Sequence, residues 1–188
     1  MGWIGGIKIE AGRVEDIVFV PLNKIGLALS RIVRFSGNTD IPCSVLMHSV
    51  HGALYILETY KDELLARFFL LHDACEVVVS DVPRGFKPRS LEEIEELITD
   101  VMYQKHIGEH PTLEQRKILK HVDNLCGNAE CNVFILEGCP VQVVPSSLES
   151  LILNVGASFP YRGESVQLIK EWEIAISGNF QRLIGLFV

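Results

Sequence analysis

Between positions 62 and 76 the chain reads DELLARFFLLHDACE, apolar on almost every side of a helix. A helix with no polar face has to lie inside the protein, so this stretch constrains the fold more than any other. Helical stripes surround it. Ile25, Leu27, Leu29, Ile32 and Val33 form one after Pro21, a residue suited to a first helical position, and that stripe ends near Arg34-Phe35-Ser36-Gly37. Leu46, Val50, Ala53, Leu54 and Leu57 form a second. Ile94, Leu97, Ile98, Val101 and Met102 follow a capping box at Ser90 and Glu93, and Ile118, Leu119, Val122 and Leu125 follow another at Thr112 and Gln115. Residues 147–153 and 164–177 also read as helical. Ahead of Pro21, Ile7–Glu10 and Ile17–Val20 flank Ala11-Gly12-Arg13 and predict a β-hairpin. The expected fold is an all-α bundle with a small N-terminal hairpin. It spans 1–188 as one domain, with the hairpin at 1–20, a core at 21–127 and C-terminal helices at 128–188.

A chain of 188 residues, 48% of them hydrophobic, suits one domain with a real core. Seventeen basic against 24 acidic residues give a net charge of -7, which disfavours a nucleic-acid polymer as partner. A small anionic ligand stays open, provided local cations or metal ions overcome the overall field. No apolar run is long enough to span a bilayer, and no signal peptide is evident, so a cytoplasmic location is expected. Cys43, Cys75, Cys126, Cys131 and Cys139 are odd in number and irregular in spacing, which reads as reduced thiols.

The chemistry lies where polar residues interrupt apolar faces. His72 and Asp73 close the most hydrophobic helix, and buried without partners they would cost several kcal/mol, roughly. A metal ion is the strong partner for adjacent His and Asp. His48 in the preceding helix and Asp123 among Leu119, Val122 and Leu125 are candidate co-ligands. Two imidazoles and two carboxylates suit Mn, Fe, Co, Ni or Zn and leave positions open. Glu76, one turn past His72, could deprotonate a water, and Asp81 could meet a second ion or a sugar hydroxyl. Arg34, Arg84, Lys87, Arg89 and Lys120 gather around the same segments, which in an acidic protein points to a phosphate pocket.

These residues carry a resemblance. His48, His72-Asp73 and Asp123 match the signature of HD-domain metal-dependent phosphohydrolases. LLHDACEVVVSDVPRGFK resembles that family's core, and RIVRFSG followed by SVLMHSV resembles the entry of the branch containing 5′-deoxynucleotidases and phage dATP triphosphohydrolases. The likeness spans about Ile7 to Asn124 and is strongest from Arg34 to Lys87.

The resemblance implies that His48, His72, Asp73 and Asp123 bind a catalytic divalent ion (Co, Mn, Zn, Fe, Ni or Mg), with a second ion at the phosphates. Glu76 and Asp81 would take catalytic roles. Arg34 and Phe35 would contact the nucleotide, and Lys87 and Lys120 the phosphates. The implied reaction is hydrolysis at the 5′ α-phosphate of a deoxynucleotide, a dNTP with dATP preferred, or alternatively a dNMP. The implied assembly is a homo-oligomer, in the cytoplasm or, for a phage protein, the host cytoplasm. Met47, Phe35 and Ser80 depart from the family pattern and bear on substrate identity rather than on chemistry. Competing readings are a silent nucleotide-binding regulatory domain and an enzyme for another phosphoester. His51, one turn past His48, reads as a packing or supporting residue.

Overall fold

The computed structural model describes residues 2–4, 7–10, 13–135, 140–158 and 166–187. Among them helix dominates: α1 (Leu22–Leu29), α2 (Val45–Thr59), α3 (Glu63–Leu71), α4 (Glu76–Val79), α5 (Arg89–His106), α6 (Leu113–Phe134), α7 (Ser146–Ser158), α8 (Val166–Ile176) and α9 (Gln181–Ile184). The all-α bundle is what the stripes predict. The division expected between 127 and 128 falls inside α6, which runs through it unbroken.

The hairpin exists but is displaced. β1 (Gly2–Ile4) pairs antiparallel with β2 (Ile7–Ile9), with Trp3 opposite Lys8. The expected second strand at 17–20 is instead part of a 3-10 turn, Val14–Phe19, and the expected connection at Ala11-Gly12 lies outside the described residues. Ile17 and Val20, three apart, are both fully buried. That is the period of a 3-10 turn and not of a strand.

α2 is the most enclosed helix: every residue from Val45 to Ile56 is buried. It packs chiefly on α3 and also on α6 and α7. Ser44 caps it by accepting from the Met47 backbone N–H at 3.2 Å, and Asp62 caps α3 by accepting from Leu65 at 2.9 Å. α2 and α3 approach closely because of one residue. A Cβ at Gly52 would lie 2.0 Å from the Phe69 ring, so only glycine admits that ring.

α3 ends sooner than its apolar run. Leu71 is its last residue, positions 72–75 are turns, and α4 restarts at Glu76. α1 likewise stops at Leu29, short of Ile32 and Val33. Val33 forms an isolated antiparallel bridge with Ser44 instead. Ser90 does not cap α5, whose preceding residue is Pro88 with no side-chain cap. The Thr112–Gln115 capping box opens α6 as expected. Among the described residues no helix is long and apolar enough to cross a membrane.

Candidate metal centre

Three segments bring four side chains together. His48 comes from near the N-terminus of α2, His72 and Asp73 from the turn after α3, and Asp123 from the middle of α6. His48 Nε2 lies 3.3 Å from Asp123 Oδ1 and 3.7 Å from Asp73 Oδ2. His72 Nε2 lies 3.1 Å from Asp73 Oδ2 and 4.0 Å from Asp123 Oδ1. Donors held about 2.1 Å from a common ion stand about 3.0 Å apart at right angles and about 3.4 Å apart at tetrahedral corners. Two of the four separations fall between those values and the other two are up to about 0.6 Å longer, and His48, His72 and Asp123 form a group compact enough to hold a metal ion.

Each ring is fixed through its other nitrogen. His72 Nδ1–H donates to the Phe69 carbonyl at 2.7 Å, and His48 Nδ1 faces both oxygens of Glu130 at 3.1 Å. Both Nε2 atoms then point into the cluster, buried and without a hydrogen-bond partner. Two nitrogen lone pairs facing two carboxylates repel unless a cation or a proton lies between them. The donor set therefore fits a divalent ion.

The electrostatics agree with crowded charge. Burial and the Arg34 charge favour neutral His48, but the Glu130 and Asp123 carboxylates that face its two ring nitrogens outweigh them and raise its pKa to about 9. Burial acts against ionised Asp73, yet the His72 and His48 charges bring it to about 2. Asp123 is pulled below the usual carboxylate range against its burial by His48 and His72. Glu76 goes the other way. Burial, reinforced by the Asp73 and Asp81 charges, raises it to about 9, and its Oε2 has no partner. Glu76 thus carries a proton beside a cluster of acceptors. Burial also raises Asp81.

An open cleft of about 830 Å³ adjoins the cluster, lined by Arg34, Phe35, Asp73, Glu76, Asp81, Lys87, Lys120 and Asp123 among others. All of the expected catalytic and substrate residues are in that set. Arg34 is placed by backbone pairing: its N–H donates to the Cys43 carbonyl at 2.8 Å, just ahead of α2. Its guanidinium NH1 stands 3.7 Å from Asp73 Oδ2, and its charge sits 5.6 Å from the Phe35 ring centre. Phe35, Ser36 and Gly37 all have positive φ (56°, 53° and 74°), strained backbone for the first two. Lys120 Nζ bonds Asp123 at 2.8 Å and Lys87 Nζ bonds Glu95 at 2.8 Å. Arg89 is exposed and pairs with Glu93, away from the cleft, and the side chain of Arg84 lies outside the described residues. A separate hollow of about 580 Å³, lined mainly by Leu54, Leu57, Leu151, Val155, Ile184 and Phe187, touches none of this chemistry.

Sequence reasoning missed two residues, both on α6. Arg116 also lines the cleft and pairs with Asp100 at 2.9 Å. Glu130 is fully buried, with Arg34 Nε at 3.1 Å and His51 Nδ1 at 2.7 Å besides His48. They stand seven residues before and seven after Asp123 and share its helical face, a spacing that marks the face without marking a role. His51 is the supporting residue expected. Cys43, His51 and Glu130 form a second compact group, but the Arg34 guanidinium occupies its carboxylate. Burial first, then Glu130, raises the Cys43 thiol well above its ordinary range.

Cys43, Cys75 and Cys126 are free and buried, as reduced thiols should be. Cys131 corrects that expectation: it is disulfide-bonded. Count and spacing say nothing about which Cβ atoms the fold brings within bonding reach. Cys139 lies outside the described residues. No family model and no curated protein matches the chain.

Proposed function

We propose that the protein is a metal-dependent phosphohydrolase that cleaves deoxynucleotides at the 5′ α-phosphate, releasing the deoxynucleoside. The observation that carries this reading is the convergence of His48, His72, Asp73 and Asp123, the last two of which line a cation-bearing cleft. When bound there, a divalent ion supplies Lewis-acid polarisation of a phosphoryl oxygen and lowers the pKa of a water. A second ion at the phosphates belongs to the same reading.

The chain's own side chains do the rest. Arg34, Lys87, Arg116 and Lys120 neutralise charge that grows on the phosphate oxygens as the water oxygen bonds phosphorus and the P–O5′ bond breaks. Glu76, which lines the same cleft, takes a proton from the attacking water and returns one to the departing O5′. Phe35 offers a ring face to the deoxyribose or base, and Asp81 an acceptor for a sugar hydroxyl. The leading substrate is a dNTP, dATP by preference, with triphosphate as co-product.

One observation favours a dNMP substrate instead. Lys87, Arg116 and Lys120 are each already paired with a carboxylate, and Glu92, Glu95 and Glu96 line the same cleft. Such a rim suits fewer phosphate charges than a triphosphate brings, unless the second ion offsets them.

The test is product analysis by HPLC after incubating the protein, loaded with Co or Mn, with a mixture of dNTPs and dNMPs. Release of a deoxynucleoside is expected, and triphosphate or phosphate alongside it decides between the two substrates. No turnover of any nucleotide by protein with metal confirmed bound would overturn the proposal.

A further inference from the structure

Glu130 belongs to no expected site, yet it is the buried group on which the others converge. Its two oxygens meet His48 Nδ1 at 3.1 Å and His51 Nδ1 at 2.7 Å, and the Arg34 guanidinium forms an ion pair with it at 3.1 Å. Arg34 and His51 hold the carboxylate charged and in place, leaving it one further task. Toward His48 it can only accept, so the proton must sit on Nδ1. The lone pair is then on Nε2, 3.3 Å from Asp123 and 3.7 Å from Asp73, where the cluster converges. The other imidazole is set differently, by the Phe69 carbonyl at 2.7 Å.

We propose that Glu130 is a positioning residue of the metal centre: by accepting from His48 Nδ1–H it fixes the tautomer and ring orientation that present Nε2 to a divalent ion. This rests on the reading of the four side chains as metal ligands, and not on what the cleft hydrolyses. Partners of this kind raise ligand basicity and hold the ring, and their loss costs about 10–100-fold in metal affinity.

The experiment measures zinc affinity by competition with a chromophoric chelator for wild type, Glu130→Gln and Glu171→Gln. Glu171 is another buried carboxylate paired with an arginine, Arg182 at 2.7 Å, but it lies on α8 outside the cluster. Glu130→Gln should bind zinc about 10–100-fold more weakly, with Glu171→Gln unchanged. Equal affinity in wild type and folded Glu130→Gln, or an equal loss in both variants, overturns the proposal. Should Glu130→Gln fail to fold, the zinc-loaded wild type still decides. Nitrogen-15 NMR should show a slowly exchanging N–H on His48 Nδ1, and a proton on Nε2, or no zinc binding at all, overturns it. Zinc affinity that depends on Glu130 in a protein that hydrolyses no nucleotide would remove the proposed substrate and leave this inference standing.

Discussion

Gly52→Ala adds a single methyl group and should disable the centre from a distance. The new Cβ would lie 2.0, 2.2 and 2.6 Å from three atoms of the Phe69 ring. That ring is fully buried and cannot swing away. It also lies 4.2 Å from the His72 ring and 5.7 Å from the His48 ring, centre to centre, and the Phe69 carbonyl orients His72. Overpacking of this kind costs about 1–3 kcal/mol. Exchanging glycine for alanine inside a helix returns about 1 kcal/mol. A rigid ring as the clashing partner places the cost at the top of its range, for a net loss of about 2 kcal/mol. At this chain length that lowers the Tm by about 4–8 °C. Urea unfolding, with zinc affinity measured on the same samples, is the assay. A variant more stable than wild type by about 1 kcal/mol, the propensity gain alone, would refute the close α2–α3 approach. Unchanged zinc affinity would refute the role given to Phe69.

Three further outcomes follow from the same geometry. Without metal, stability should fall as pH rises from about 5 to 9. The folded-state pKa values of Glu76 and His48 are both raised to about 9, so the folded protein holds protons that the unfolded chain has released. His48 alone accounts for about 3 kcal/mol, and saturating divalent metal should flatten the slope; stability rising over that range in chelator contradicts the assignment. Ser80 has φ 65° and ψ 168°, a region open in practice only to glycine, so Ser80→Gly should stabilise by about 1 kcal/mol in thermal unfolding. Thr112→Ala removes one half of the α6 capping box and should cost about 1 kcal/mol in the same assay while leaving zinc affinity intact.

The bundle was legible because apolar periodicity reports burial directly, and the Thr112–Gln115 box carries its own local chemistry. Residues 17–20 misled because a 3-10 turn and a strand can both bury β-branched residues, and only the spacing of Ile17 and Val20 separates them. The depth of α2 was hidden for a more instructive reason. His48, Ser49, His51 and Gly52 break its apolar pattern, yet all four are buried, because α6 supplies Glu130 to the imidazoles and α3 supplies Phe69 to the glycine. His48, His72, Asp73 and Asp123 could be read from polar residues set in apolar stripes. Glu130 could not be read that way, since a glutamate late in a long amphipathic helix is ordinary until Arg34 and two histidines are folded onto it.

The central claim is that two imidazoles and two carboxylates surround one cation. Equilibrium dialysis against zinc or manganese at neutral pH, comparing wild type with His72→Ala and Asp123→Asn, tests it most directly. The account predicts a single tightly held ion per chain of wild type and its loss from both variants, with helix content by circular dichroism unchanged. A wild-type chain that retains no ion, or variants that retain it as tightly, would contradict the account.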